Sequence, residues 1–347
     1  MTGNISNCTV VMATYNGSKY LEEQLASLER QVMHPDRLIA SDDGSTDSTR
    51  EILSAFAKEA SFDVVIVDGP RQGYAENLWS AAKLVETKYL AWADQDDVWH
   101  PQKILRCVQV LEETGASFVS HSAAVVDESL RPLGHSLPDY PRTRVMGPLK
   151  GDPFEVPAGR ASVFQREILD DVDWASRPLS HQHLNQLPHD HVVPLIVFAF
   201  HRRVQLAESL ACYRQHGSNV AGDPIVRGFA RISESLKVSA GNYAELASAA
   251  EGYARYLSLI AAGDTSAVGF YLAAAERARC RGRLRDGETV LIRLRALVDS
   301  VRTGNYRTKD NGGFGLPALL NDSFSLCLSL AEGYGYRTGR KPGLPSL

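Results

Sequence analysis

The sequence contains no stretch long and apolar enough to cross a membrane as a helix. A span needs about 18 or more consecutive apolar residues. The longest apolar run, residues 192–200, is much shorter and is interrupted by Pro194. The first seven residues are polar, with no basic segment leading into an apolar core, so no secretory signal is expected. Paired cysteines are missing too. Cys8, Cys107, Cys212, Cys280 and Cys327 are odd in number, scattered and without a C-x-x-C pair. That excludes a disulfide framework, argues against structural zinc, and points to the reduced thiols of a cytoplasmic protein. There is no excess of positive charge: the formal net charge of −4 gives no ground for a nucleic-acid partner. No internal repeat is found. What is present is ordinary for a globular chain: 347 residues, 44% hydrophobic and 22% charged, enough for one large domain with an appendage.

The first part alternates short apolar runs with helix-period segments. Residues 9–13, 38–41, 64–67, 89–93 and 117–126 read as strands. Residues 19–31, with Leu21, Leu25 and Leu28 on one face, read as a helix. So do a segment that Asp47 can cap, residues 74–86, and a segment opened by Pro101. Strand and helix in alternation predict an α/β domain with a largely parallel sheet, whose ligands bind beyond the carboxyl ends of the strands. Residues 130–157, rich in proline and glycine, read as a long excursion, a lid or acceptor loop. Residues 188–200 predict a buried helix with Asp190 near its start, and 204–213 an edge strand or two. Beyond Gly222 the segments 226–260, 267–282 and 287–302 are helix-like, and Val290, Leu294, Leu297, Val298 and Val301 form one apolar stripe. The expected division is residues 1–223 for the α/β domain and 224–347 for a helical region, with a loose tail from Arg337.

Two acidic clusters fall at predicted strand ends, Asp42-Asp43 and Asp94-Gln95-Asp96-Asp97. Carboxylates one residue apart at a strand end can share a hard divalent cation with a diphosphate; a solvated acidic turn is the alternative. Asp43 can accept the N3–H of a uracil or thymine ring, or simply end a strand in a turn. Tyr15 offers a ring face beside the turn residues Asn16 and Gly17. In His189-Asp190-His191 the carboxylate can cap the helix or act as a general base. In Tyr213-Arg214-Gln215-His216-Gly217, Arg214 can pair with phosphate oxygens and His216 can bind metal or phosphate.

Taken in order, the strings VVMATYNGSKYLEEQLASL, IASDDGSTDST, GPRQGYAENL, YLAWADQDDVWHPQK, LPHDHVVPL and ACYRQHGSNVAG resemble glycosyltransferase family 2. These are inverting enzymes of GT-A fold, and the match is closest to their bacterial rhamnosyltransferase-like branch. D-Q-D-D-x-W-x-P-x-K is far more specific than a bare D-x-D. The resemblance implies a GT-A nucleotide-sugar transferase domain with a mostly parallel central sheet. It implies that Thr14, Tyr15 and Asp43 line a nucleobase pocket, with Asn16 and Gln95 among the donor-binding residues. Gly73 and Asn77 would contact the nucleotide or shape its pocket, and Asp94 would sit near ribose and metal. Asp96 would be the main ligand of Mg²⁺ or Mn²⁺, with Asp94 and His216 as further candidates. Arg214 would meet the departing diphosphate, and Asp190 would be the catalytic base. The implied donor is dTDP-L-rhamnose, with UDP-hexoses second. The implied acceptor is a glycan or lipid-linked saccharide, as in bacterial surface polysaccharide synthesis. A non-catalytic nucleotide-sugar-binding homologue is the other alternative. Arg160 falls where the family usually carries small residues and stands as a departure.

Residues 276–307 hold nine arginines against Glu276, Asp286, Glu288 and Asp299. This predicts either a solvated helical face or peripheral contact with anionic lipid at the inner face of the membrane.

Overall fold

The computed structural model describes residues 7–179, 186–217 and 239–307, apart from 262, 287 and 288, and a few positions between 316 and 326. Parts of the predicted segment 226–260 and the tail from Arg337 lie outside the described residues. The chain gathers into two compact units. The first comprises Met1–Pro148, Glu155–Arg177 and Leu187–Asp223; the second comprises Leu149–Phe154, Pro178–Gln186 and Pro224–Leu347.

The first unit is built on a ten-stranded sheet. Its strands are β1 (Cys8–Thr14), β2 (Arg37–Asp42), β3 (Asp63–Asp68), β4 (Tyr89–Ala93), β5 (Val98–Trp99), β6 (Phe118–Val126), β7 (Pro132–Ser136), β8 (Arg144–Met146), β9 (Ser162–Gln165) and β10 (Arg203–Arg214). The spatial order is β3-β2-β1-β4-β9-β6-β10-β5, with β7 on β6 and β8 on β10. The first four strands run parallel in unbroken register. β6 and β10 are also parallel, and β9 lies antiparallel between β4 and β6. Every residue of β4 is buried, which explains why it reads as a continuous apolar run rather than an alternation. Among the described residues, its α-helices are α1 (Leu21–Glu29), α2 (Thr49–Glu59), α3 (Tyr74–Ala82), α4 (Lys103–Thr114) and α5 (His189–Phe200). Leu21, Leu25 and Leu28 of α1 and Ile104, Cys107 and Leu111 of α4 form one core with the sheet. Each fully buried leucine contributes about 1.5–3 kcal/mol. Gly115 ends α4 at φ +61, a conformation that only glycine adopts without strain.

Two expectations change here and one holds. Residues 204–213 form no edge strand: β10 is interior, with β6 on one side and β5 and β8 on the other. The excursion 130–157 is partly ordered as β7 and β8. Asp47 serves the start of α2 as expected: its carboxylate accepts from the backbone N–H and hydroxyl of Thr49, and from the backbone N–H of Ser18, tying the loop after β1 to the helix.

The second unit contains α6 (Ala240–Ile260), α7 (Ser266–Asp286) and α8 (Val290–Arg302). Ser239 and Asn242 form a reciprocal capping box at the start of α6. Thr289 caps α8 by accepting from Ile292 N–H. The Tyr271 hydroxyl donates to the Pro153 carbonyl at 3.1 Å, holding the segment 149–154 to α7. Arg281 and Arg285 share the buried carboxylate of Asp322, which also accepts from Tyr306. The stripe predicted on α8 does not face inward. Ala296 and Ser300 are buried, whereas Leu294, Val298 and Val301 are exposed. No helix among the described residues is long and apolar enough to cross a membrane.

Candidate functional site

The parallel strands deliver their loops to one edge of the sheet, where each loop must satisfy its own backbone groups. Asp43, just after β2, organises this edge. Its N–H donates to the Thr14 carbonyl, and its two carboxylate oxygens accept from the N–H groups of Arg71 and Gly73. The loop 69–73 therefore wraps around Asp43, with Gly73 at φ +90. A Cβ on Gly69 would lie 2.5 Å from Asn77 Oδ1 and 2.7 Å from Asp43 Oδ1, so nothing larger fits. Asn77 is buried and donates to the Ser41 carbonyl at 2.8 Å. Thr14 is likewise buried, its hydroxyl donating to Asp42 Oδ1 at 3.0 Å. Burial works against the charge of Asp42, but bonds from Ser45, Thr14 and Arg50 outweigh it and hold the carboxyl below its usual range. Asn16, at φ +47, accepts from Thr46 N–H on its side-chain oxygen and donates its own N–H to Ser45 Oγ, joining the first two loops. Of the residues expected around a base, Thr14 and Asn77 are buried, Tyr15 and Asn16 are exposed, and Asp43 is half-buried.

The turn after β4 is held from several sides. Gln95 pairs with the backbone of Tyr15 in both directions, accepting from its N–H at 3.0 Å and donating to its carbonyl at 3.1 Å. A Cβ on Gly17 would sit 2.1 Å from Gln95 Oε1, so this clamp requires glycine there. Arg214 is buried and donates to the carbonyls of Asp96 and Glu128 and to Glu23, with Tyr20 beneath it. Its backbone N–H donates to Asp97. Arg214 thus grips the acidic turn. The other carboxylate oxygen of Asp97 faces Arg160 Nε at 3.7 Å. Arg160 stacks on Tyr213, and its carbonyl accepts from the buried ammonium of Lys103. Arg160 and Lys103 thus lie beneath the carboxylates as counter-charges. Burial pulls Lys103 down to about 7, despite the opposing carboxylates. Asp96 and His216 stand side by side, with Nε2 donating to Oδ2 at 2.8 Å.

Asp190 lies in the first turn of α5, where the helix dipole favours a negative charge. Its Oδ1 is buried and has no hydrogen-bond partner among the described residues. Gly159 passes beneath it: an added Cβ would sit 3.1 Å from Asp190 Cβ and 3.1 Å from His189 Nε2. Tyr74, at the start of α3, meets the His189 ring edge-on at 6.0 Å. Burial pushes the Tyr74 hydroxyl up to about 12, with Asp190 and Asp94 adding to the effect. Tyr74, Lys103 and Gly69 have no role assigned from the sequence, although Gly69 and Tyr74 lie in GPRQGYAENL and Lys103 closes D-Q-D-D-x-W-x-P-x-K.

Burial, then Asp96 and Asp190, push Asp94 up to about 6 against the pull of Arg160 and Lys103. The folded chain therefore holds a proton that the unfolded chain releases near pH 4. This stabilisation is complete below about pH 4 and is lost as the pH rises through about 6. Asp94→Asn is expected to raise the unfolding free energy of the cation-free protein by about 1–2 kcal/mol near pH 8, with the gain vanishing towards pH 4. Urea unfolding across that range checks it; a pH-independent gain would contradict the assignment.

Against known proteins, residues 9–173 match the sequence model described as Glycosyl transferase family 2. Residues 9–173 are a glycosyltransferase family 2 domain. An uncharacterized glycosyltransferase of Nostoc sp. is 26% identical over 224 residues, 61% of this chain and 65% of the relative. The dTDP-rhamnosyl transferase RfbG of Shigella flexneri is 32% identical over 114 residues, 31% of this chain and 39% of the relative. The matches thus span less than two thirds of these family members' own lengths. Among solved structures, S. aureus TarS 1–349 has a TM-score of 0.53 at 14% identity, covering 98% of this chain and 94% of TarS, a likeness of fold. The family 2 fold is accordingly GT-A, an α/β architecture with a mostly parallel central sheet and helices towards the C-terminus.

Proposed function

We propose that this chain moves a sugar from a nucleotide-sugar donor to an acceptor hydroxyl with inversion, with donor binding and chemistry in residues 1–223 and a separate role for the helical region 224–347. One observation carries the reading. Asp190 brings an unpartnered carboxylate oxygen on a helix N-terminus into electrostatic reach of Asp94, beside the acidic turn of the sheet.

In this reading Tyr15 and Asp43 receive the base. Asp43 keeps lone pairs beyond its two backbone bonds to accept an N3–H. Gly73 shapes the pocket, and Gln95, Thr14, Asn16 and Asn77 hold the loops that form it. Asp94 lies by the ribose. Asp190 takes the proton of the acceptor hydroxyl as its oxygen bonds the anomeric carbon, and the bond to the diphosphate breaks on the opposite face. Arg214 positions Asp96. The donor set of Asp96 and His216 suits Mg²⁺ or Mn²⁺: one carboxylate and one imidazole leave coordination sites for diphosphate oxygens and water. Such an ion would neutralise charge on the leaving nucleoside diphosphate.

The strings around D-Q-D-D and Y-R-Q-H-G-S-N, and the name of RfbG, favour dTDP-L-rhamnose as donor over UDP-hexoses. A glycan or lipid-linked acceptor follows from the same resemblance, and peripheral membrane contact through the basic helices would serve the latter. The test is a donor screen with the purified chain, reading nucleoside diphosphate release with Mn²⁺ or Mg²⁺. Release is expected to be greatest from dTDP-L-rhamnose. Calorimetry with dTDP and UDP accompanies it: no binding of either, with or without Mn²⁺, rejects the donor site.

A further inference from the structure

We propose that the outward face of α8 docks on anionic phospholipid. The proposal deepens the membrane contact just suggested, but it rests on residues remote in sequence from the donor site. At about 100° per residue, Leu291, Leu294, Val298 and Val301 share one side of α8. They are 78%, 41%, 47% and 56% exposed. The opposite side is occupied: Ala296 and Ser300 are buried, and Arg293 donates to the Arg285 carbonyl at 3.0 Å. An isolated leucine on a surface needs no explanation, but four apolar residues along three turns of one helix form a contiguous patch.

The margin of the stripe identifies its occupant. Arg295 and Arg302 are exposed and lie along one flank, and Arg307 is exposed beyond the helix end. The helix has one acid, Asp299, outside the apolar arc and beyond the arginine flank. Arginines bordering an apolar stripe lay their methylene stems along the acyl boundary and raise their guanidinium groups to lipid phosphates. The stripe holds only leucine and valine, with none of the aromatic anchors that dominate protein–protein contacts. Leu316 and Leu320 of the same unit are exposed as well.

The experiment is flotation of the full chain with phosphatidylglycerol–phosphatidylcholine vesicles and with pure phosphatidylcholine vesicles. The chain is expected to float with the anionic vesicles at low salt, and far less with the neutral ones or at high salt. Each basic residue near such a surface contributes a factor of about five, so Arg295→Gln/Arg302→Gln should weaken binding about 25-fold. Leu291→Ser/Leu294→Ser/Val298→Ser should abolish it. All five side chains point outward, so the circular dichroism and Tm of both variants should match the parent. The proposal falls if the parent stays with neither vesicle or if the variants float like the parent. It falls equally if sizing finds a dimer that the serine variant dissolves, since a second copy would then own this face. Calorimetry with dTDP and UDP on the same samples keeps the two readings apart: loss of nucleotide binding would reject the donor site and leave the lipid surface standing.

Discussion

Asp190→Asn is expected to lower turnover by about 10³–10⁴-fold while leaving nucleotide affinity within about twofold. The substitution keeps the size of the side chain and removes its ability to take a proton. Structural loss is not expected to confuse the result. Asp190 Oδ1 has no hydrogen-bond partner among the described residues, and losing the charge at the helix N-terminus costs only about 0.3–1 kcal/mol. The adjacent His189 supplies no substitute base. Its ring is packed edge-on against Trp92 at 4.9 Å, and burial holds it below its usual range. The check combines steady-state release of nucleoside diphosphate with calorimetry of dTDP or UDP. Activity close to that of the parent would remove Asp190 from the role of base. Loss of nucleotide binding would make it a donor-site residue instead.

The second large effect concerns Asp96. Asp96→Asn should lower turnover by about 10²–10³-fold at fixed Mn²⁺ and move half-saturation by the cation about 10- to 100-fold higher. The structure separates this effect from folding. Arg214 grips the backbone carbonyl of Asp96, not its carboxylate, and Gln95 anchors the turn to Tyr15. The turn should therefore keep its shape when the charge is removed. His216→Ala should show a smaller shift of the same sign, since it removes the imidazole of the donor pair. A cation titration of activity for parent and variants decides the matter. Identical titration curves would exclude Asp96 as a ligand.

Much of the fold was legible before any coordinates. Parallel strands buried on both faces appear as unbroken apolar runs, so β1, β2 and β4 could be read directly. The acidic clusters could be placed at strand ends because the runs stop there. The position of β10 was not legible, since interior or edge depends on which strands lie beside it, and those come from distant parts of the chain. The same holds for Arg214. Its protein partners Glu23, Asp96 and Glu128 come from distant parts of the chain and are not visible in the local sequence. Arg160 stood out in the sequence only as a departure. In the fold it is the counter-charge facing Asp97, with Lys103 on its carbonyl.

The acidic turn marks the division most clearly. Local sequence determined that Asp94, Gln95, Asp96 and Asp97 would emerge together after a buried strand, and that Asp190 would open a helix, because strand and helix patterns are carried by neighbours in the chain. Tertiary structure decided the differences among them. Gln95 became a clamp, Asp97 a buried partner of Arg160, Asp94 a carboxyl raised to about 6, and Asp96 the neighbour of His216. Burial and charge at a side chain are set by whatever packs against it, and here nearly all of that comes from residues far along the chain. The outward stripe of α8 follows the same rule: periodicity establishes that a helix has an apolar face, and packing alone decides which way it turns.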